Sequence, residues 1–154
     1  MQRLVGATWN DWLTVAGTAT TVNAARDLPG TQVTWRVLAT NAIGNSLPSS
    51  SANYAIAPIR SSAVQNVVVS ATSITSQVSV SFAAPANLGG APLIAYYLQV
   101  SKDNGTTWLT LGSTSGLSAT VSAPAKSITW QYRVQASTAA GLGDPSNVAS
   151  YTGH

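Results

Sequence analysis

One stretch of this chain occurs twice. Residues 130–146 read WQYRVQASTAAGLGDPS, and residues 33–49 read VTWRVLATNAIGNSLPS. At a spacing of 97, Tyr132 corresponds to Trp35, Val134 to Val37, Ala136 to Ala39, Thr138 to Asn41, Gly141 to Gly44, Gly143 to Ser46 and Ser146 to Ser49. In the later copy Tyr132, Val134 and Ala136 alternate with Gln131, Arg133 and Gln135, which is the period of a half-buried strand. Gly141 and Gly143, followed by Pro145, then turn the backbone sharply. A repeat of 97 in a chain of 154 residues leaves room for one full copy and a shortened one.

Composition narrows the class. Ser, Thr, Ala, Val and Gly dominate and Glu is absent. Small and β-branched residues suit pleated sheet and tight turns, so an all-β protein is expected. Hydrophobic residues at 45% can build a core, unlike the low hydrophobicity and high net charge of a disordered chain. The net charge of +3 comes from Arg3, Arg26, Arg36, Arg60, Lys102, Lys126 and Arg133, no two adjacent. A nucleic-acid groove needs clustered cations, so no nucleic-acid partner is expected. A surface of hydroxyls and amides repels itself little, which eases repeated subunit contacts. Without Cys there is neither a disulfide framework nor a thiolate metal site, and the redox compartment stays open. Residues 1–12 lack a signal-peptide core, and no run approaches the roughly 18 apolar residues of a membrane span. No membrane insertion is expected, and any export would be directed by sequence outside this chain.

In chain order, residues 8–15 read as a strand, Gly17 as a turn and Thr20-Thr21-Val22 as the next strand. Residues 106–111, Gly112 and Ala119-Thr120-Val121 repeat that order. On this alignment Trp12 matches Trp108 at a spacing of 96, and Trp9 has no equivalent. Lys102-Asp103-Asn104-Gly105 carries the Asn-Gly pair that supplies positive φ in tight turns. Residues 52–57 close the first copy, and residues 58–62 form a short junction, expected to be stiff rather than a flexible linker. The second copy, 63–154, reads as strands at 64–71, 77–82, 93–101, around Trp108, 117–121, around Trp130 and 147–152. Seven short strands in about 92 residues with turn signals between them predict an antiparallel sandwich.

These residues resemble the fibronectin type III family of the bacterial or phage-borne kind. The resemblance is carried by VSVSFAAP (78–85), GGAPLIAYYLQV (89–100), SKDNGTTW (101–108) and YRVQASTAAGLGDPS (132–146), and covers roughly residues 61–152. Phe82 stands where the family usually has Trp, and Thr138 where it often has Asn, a residue that the first copy keeps as Asn41. The resemblance implies an immunoglobulin-like sandwich with strands A, B and E against C, C′, F and G, used as a spacer, adhesive or docking module. Residues 1–57 align with strands C to G alone, with Met1 near Tyr97, so strands A and B are expected to be missing from the first copy. Several hundred Å² of bare apolar surface would forgo on the order of 10 kcal/mol. Either the chain is a piece of a longer array, or another chain supplies the missing strands.

Catalysis needs a convergent acid, base, nucleophile or metal ligand. The sole His is His154, and Asp11, Asp27, Asp103 and Asp144 fall in different turns, so no catalytic residue, cofactor or metal is assigned and no enzyme is expected. Asp103 and Asn104 could in principle hold calcium, but solvated turn residues are the commoner use. Gly89-Gly90 and the glycines at 141 and 143 precede strands, so a phosphate cradle lacks its helix. Among the aromatics, Trp35, Tyr132 and Trp130 read as core. Trp9, Trp12, Trp108 and Asn104 are the candidate interface residues, Trp9 foremost. The expected role is a non-enzymatic structural or adhesive module of a surface fibre, virion or extracellular array, in contact with other protein subunits. The alternative is a carbohydrate-binding or spacer module of a secreted polysaccharide-degrading enzyme, with Trp12 or Trp108 as platform for a cell-surface glycan.

Overall fold

The computed structural model describes residues 1–23 and 27–154; Arg26, one of the scattered cations, lies outside them. The chain divides into two compact units, Met1–Pro58 and Ile59–His154. Among the described residues all helices and strands are strands.

In the first unit β1 (Gln2–Val5) and β2 (Thr8–Asp11) form a hairpin. The strand β3 (Gln32–Arg36) pairs with β1, and β6 (Ala52–Ala55) pairs with β3, giving an antiparallel sheet in the order β2-β1-β3-β6. Between β3 and β6 a small hairpin, β4 (Thr40–Asn41) and β5 (Gly44–Asn45), is held by Asn41, whose Oδ1 accepts from the N–H groups of Ile43 and Gly44 at 2.9 and 3.1 Å. The strand expected at Thr20-Thr21-Val22 is not formed, and β2 stops at Asp11 rather than running to residue 15. A strand persists only when its backbone groups find a ladder partner. The second unit shows which partner residues 20–22 lack.

There, β7 (Gln65–Ala71), β8 (Gln77–Ala83) and β11 (Ser118–Ser122) form one sheet in the order β11-β8-β7. The other sheet holds β9 (Leu93–Ser101), β10 (Leu109–Thr114), β12 (Thr129–Thr138), the short β13 (Gly141–Leu142) and β14 (Ala149–Thr152), with β12 between β9 and β14. These sheets are the A-B-E and C-C′-F-G sets that the resemblance implies. The E strand β11 pairs with the B strand β8 (Ala119 opposite Val80, Val121 opposite Val78), so an E segment without a B strand has nothing to pair with.

The second core closes between the sheets. Val78 and Val80 from one face Leu98, Tyr132 and Val134 from the other, all at most 2% exposed. Phe82 packs edge to face on Tyr96, ring centroids 4.9 Å apart, and so fills the place where Trp is usual. The Tyr132 hydroxyl donates to the Ser122 carbonyl at 2.8 Å, the corner bond typical of such sandwiches. Trp130, expected in the core, packs at its margin and is half-buried, with Lys102 Nζ 4.3 Å from its ring centroid.

The residues expected as the end of a junction belong to this unit. Ile59 and Ser62 donate from their backbones to the carbonyls of Gly89 and Asn87, and Asp144 donates to the carbonyl of Ser61. Ser61 passes so close to Gly143 that a Cβ there would lie 2.0 Å from Ser61 Oγ. Position 46 of the first unit, which corresponds, carries Ser.

Candidate interaction surface

The repeat extends to individual hydrogen bonds. Val134 N–H donates to Ser146 Oγ and Ser146 N–H to the Val134 carbonyl; Val37 and Ser49 make the same pair, all four between 2.9 and 3.0 Å. The sheet register then fixes which residues correspond across the β1-β2 and β9-β10 hairpins. Gln2 lies opposite Arg36 as Gln99 lies opposite Arg133. Leu4 lies opposite Trp9, and Val100 opposite Leu109, so Ser101 comes next to Trp108.

Trp9 is therefore the counterpart of Trp108, which corrects the pairing of Trp108 with Trp12. The spacing grows from 97 to 99 because the second hairpin's turn is two residues longer. The sequence signal was Gly6-Ala7-Thr8-Trp9 against Gly105-Thr106-Thr107-Trp108. Matching Trp to Trp at nearly constant spacing hid it.

This register builds the same stack on the outer face of each C-C′-F-G sheet. The Arg36 guanidinium lies 4.2 Å from the Trp9 ring centroid, and Arg133 lies 4.1 Å from that of Trp108. Each arginine is oriented by its Nε, which donates to Gln2 Oε1 at 2.8 Å and to Gln99 Oε1 at 2.7 Å. A planar cation fixed over an indole gains a cation–π attraction and covers the ring. Burial lowers the Arg133 pKa from its ordinary value. Trp9 and Trp108 are half-buried, and the Trp108 Nε1 donates to the Gly105 carbonyl at 3.1 Å. The indole face that would stack on a sugar is thus taken by Arg133.

Asn104 sits in the turn ahead of Trp108 with φ of 56°, followed by Gly105 at 86°, as the Asn-Gly pair predicted. Its Oδ1 accepts from Gln131 Nε2 at 2.9 Å. The Asp103 carboxylate accepts from the Thr107 hydroxyl and backbone and from Ser101 Oγ; these bonds, Thr107's foremost, hold its pKa down at about 2. The side-chain oxygens of Asp103 and Asn104, considered for calcium, are engaged in organising the turn.

Trp12 belongs to the opposite, inner face. It is 41% exposed and packs edge to face on Trp35, with ring centroids 5.4 Å apart. Arg3, in the place of the buried Val100, lies 5.0 Å from the Trp12 centroid and pairs with Asp27 at 2.6 Å. Trp35, expected in a core, is half-buried beneath Trp12. Beyond this cluster the face is open: Val37 is 55% exposed where its counterpart Val134 is 0% exposed. A groove of about 470 Å³ lies there, lined by Val37 and Ala39 together with residues between Leu13 and Val22. The sequence-derived interface residues thus divide: Trp9, Trp108 and Asn104 lie on outer faces or turns and Trp12 on the inner one. Val37 and Ala39, read only as strand positions, are the groove residues that sequence reasoning did not single out.

Two antiparallel sheets in the strand order of the second unit define the immunoglobulin-like, fibronectin type III class of β-sandwich. The solved structures agree. The chain is similar to domains d3-d4 of the rat CD45 extracellular region (16% identity, TM-score 0.70, covering 92% of this chain and 74% of that one). It is also similar to titin domains A168-A170 (18%, 0.59, covering 99% and 53%) and to a human FNIII domain solved in solution (15%, 0.56, covering 65% and 84%). The chain thus spans about half the length of the titin segment. No family model matches it.

Proposed function

We propose that this protein is a non-enzymatic structural or adhesive module of a surface fibre, virion or extracellular array, working through contacts with other protein subunits. The observation that carries this reading is the open part of the first sheet's inner face, where Val37 is 55% exposed at a position whose counterpart is sealed, although Val33 on the same face is buried. Apolar strand faces of this kind are stabilised by association. With charged residues at 7%, there is little electrostatic repulsion to oppose close packing of subunits.

Sedimentation velocity and negative-stain electron microscopy of the purified chain test it. Assemblies are expected, and Val37→Asp should disperse them by placing a charge on the contact. A chain that stays monomeric at every concentration overturns the reading.

A further inference from the structure

We propose that the free edge of β11 is a contact between two copies of this chain, in which β11 of each pairs antiparallel with β11 of the other about Thr120 and joins two β11-β8-β7 sheets into one. This names a second copy as a partner in the protein-contact reading above and rests on that reading.

The β8-β11 ladder fixes where the β11 backbone points. Phe82 N–H donates to the Leu117 carbonyl at 3.0 Å and Ala123 N–H to the Ser76 carbonyl at 2.9 Å, at the two ends of a register that runs unshifted from Ser118 opposite Ser81 to Ser122 opposite Gln77. Bonded and unbonded pairs alternate in an antiparallel ladder, so Leu117, Ala119, Val121 and Ala123 turn their backbone groups toward β8. Ser118, Thr120 and Ser122 turn theirs to the open edge, where β11 has no second neighbouring strand among the described residues. The Ser122 carbonyl is taken by the Tyr132 hydroxyl, and the rest stay available for strand addition. The other edges of the second unit carry devices that discourage such addition. Register shifts interrupt β7 at Gln65/Val68 and β10 at Thr110/Gly112, and β14 runs into the bridge between Lys126 and Gly153. The strand β11 has no bulge, no Pro and no charge.

The occupant this edge suits is itself. With Thr120 opposite its own copy, Ser118 falls opposite Ser122 and Ala119 opposite Val121, so exposed hydroxyls meet exposed hydroxyls and the two half-buried apolar residues meet each other. The free backbone groups coincide as well: each Thr120 N–H reaches the other copy's Thr120 carbonyl, and each Ser122 N–H the other copy's Ser118 carbonyl, while the Ser122 carbonyl stays with Tyr132. A two-fold contact sets any charge near its own copy, and residues 104–125 contain none. Leu109 gives the second copy apolar surface to cover. It lies opposite Val100 in the β9-β10 ladder and so shares its inward direction, yet it is 62% exposed where Val100 is 1%. Residues 115–117 join β10 directly to β11, so a strand added beside β11 widens the apolar layer on that side. A contact this short falls below the roughly 1,000 Å² of a stable interface, which makes it weak and concentration-dependent.

The test is a charge swap at Thr120 in the full chain carrying Val37→Asp, which removes the first unit's contact. Sedimentation equilibrium is expected to show a monomer–dimer equilibrium at concentrations up to about 1 mM. Thr120→Lys and Thr120→Glu are each expected to weaken it at least about tenfold, and an equimolar mixture of the two to restore it, because antiparallel pairing about residue 120 sets those side chains opposite each other. Amide exchange by NMR, with Thr120 in place, gives a second reading. Exchange at Thr120 and Ser122 is expected to slow as concentration rises, while Ala119, bonded to β8, does not change. A chain that stays monomeric at about 1 mM, substitutions without effect, or a mixture that does not recover overturns the proposal. If either variant fails to fold, Thr120 exchange that is independent of concentration overturns it alone. The outcome is separable from the assembly test. An otherwise unsubstituted chain that assembles beside a monomeric Val37→Asp chain removes the β11 contact and leaves the first unit's face standing, whereas an unsubstituted chain that is monomeric at every concentration removes both.

Discussion

Arg133 lies over the indole of Trp108, 4.1 Å from its centroid, on the outer face of the second sheet. The contact joins a strand to the hairpin beside it, and its repetition at Arg36 and Trp9 shows that the register of the two hairpins is common to both units. Trp108→Ala is expected to destabilise the second unit by about 1–2 kcal/mol, from lost cation–π attraction and apolar cover. A double-mutant cycle with Arg133→Ala should give a coupling of about 0.5–1 kcal/mol in urea denaturation. Arg133→Lys should recover only part of it, since an ammonium does not lie flat on the ring while bonding Gln99.

Gly143→Ala should cost about 1–3 kcal/mol in the same measurement. The new methyl would meet Ser61 Oγ at 2.0 Å and the Ser61 carbonyl oxygen at 2.8 Å, and the latter is backbone that has no rotamer to retreat into. Ser46→Ala, at the corresponding place in the first unit, removes only a hydroxyl that accepts from the Ala39 N–H at 3.0 Å and should cost about 1 kcal/mol or less.

Val134→Asp and Val37→Asp change corresponding residues and should give opposite results. The first buries a carboxylate at a site with no exposure and should unfold the second unit, a loss of about 4 kcal/mol or more. The second places it on the open face, and circular dichroism of the first unit's sheet should be unchanged.

Alkaline and acid limbs of stability should trace to two residues. Burial, helped by nearby Tyr151, pushes the Tyr132 pKa up from 10 to about 12, so its folded state favours the neutral phenol. That contribution is complete below pH 10 and is lost as pH rises toward 12. Tyr132→Phe should remove this limb and, with the bond to Ser122, about 1 kcal/mol at neutral pH. Asp103 has the opposite sign: its pKa falls from 3.8 to about 2, so its contribution is present above pH 3.8 and is lost as pH falls toward 2. Asp103→Asn should flatten that acid limb, and the carboxyl shift in an NMR titration should have its midpoint near pH 2.

Much of this was legible before the structure. Alternation in residues 130–136 assigned Tyr132, Val134 and Ala136 to the buried face and Arg133 to the other, because side-chain direction in a strand has a period of two whatever its neighbours. Turn chemistry placed Asn104 and Gly105 at positive φ. The partner of Trp108 was misread because spacing alone does not reveal turn length, which ladder register does. The anchoring of Ile59 and Ser62 has no local signal, because their partners are carbonyls of Gly89 and Asn87, far along the chain.

Residue order alone was enough for the repeat, the all-β class and the strand faces, since each follows from local spacing and chirality. Tertiary structure alone decided that Thr20-Thr21-Val22 forms no strand while Ala119-Thr120-Val121 does. It also decided that Val37 is open while Val134 is sealed. The physical reason is common to both: ladder pairing and burial are properties of a residue together with its neighbour, and the neighbour, β8, exists in the second unit without a described counterpart in the first.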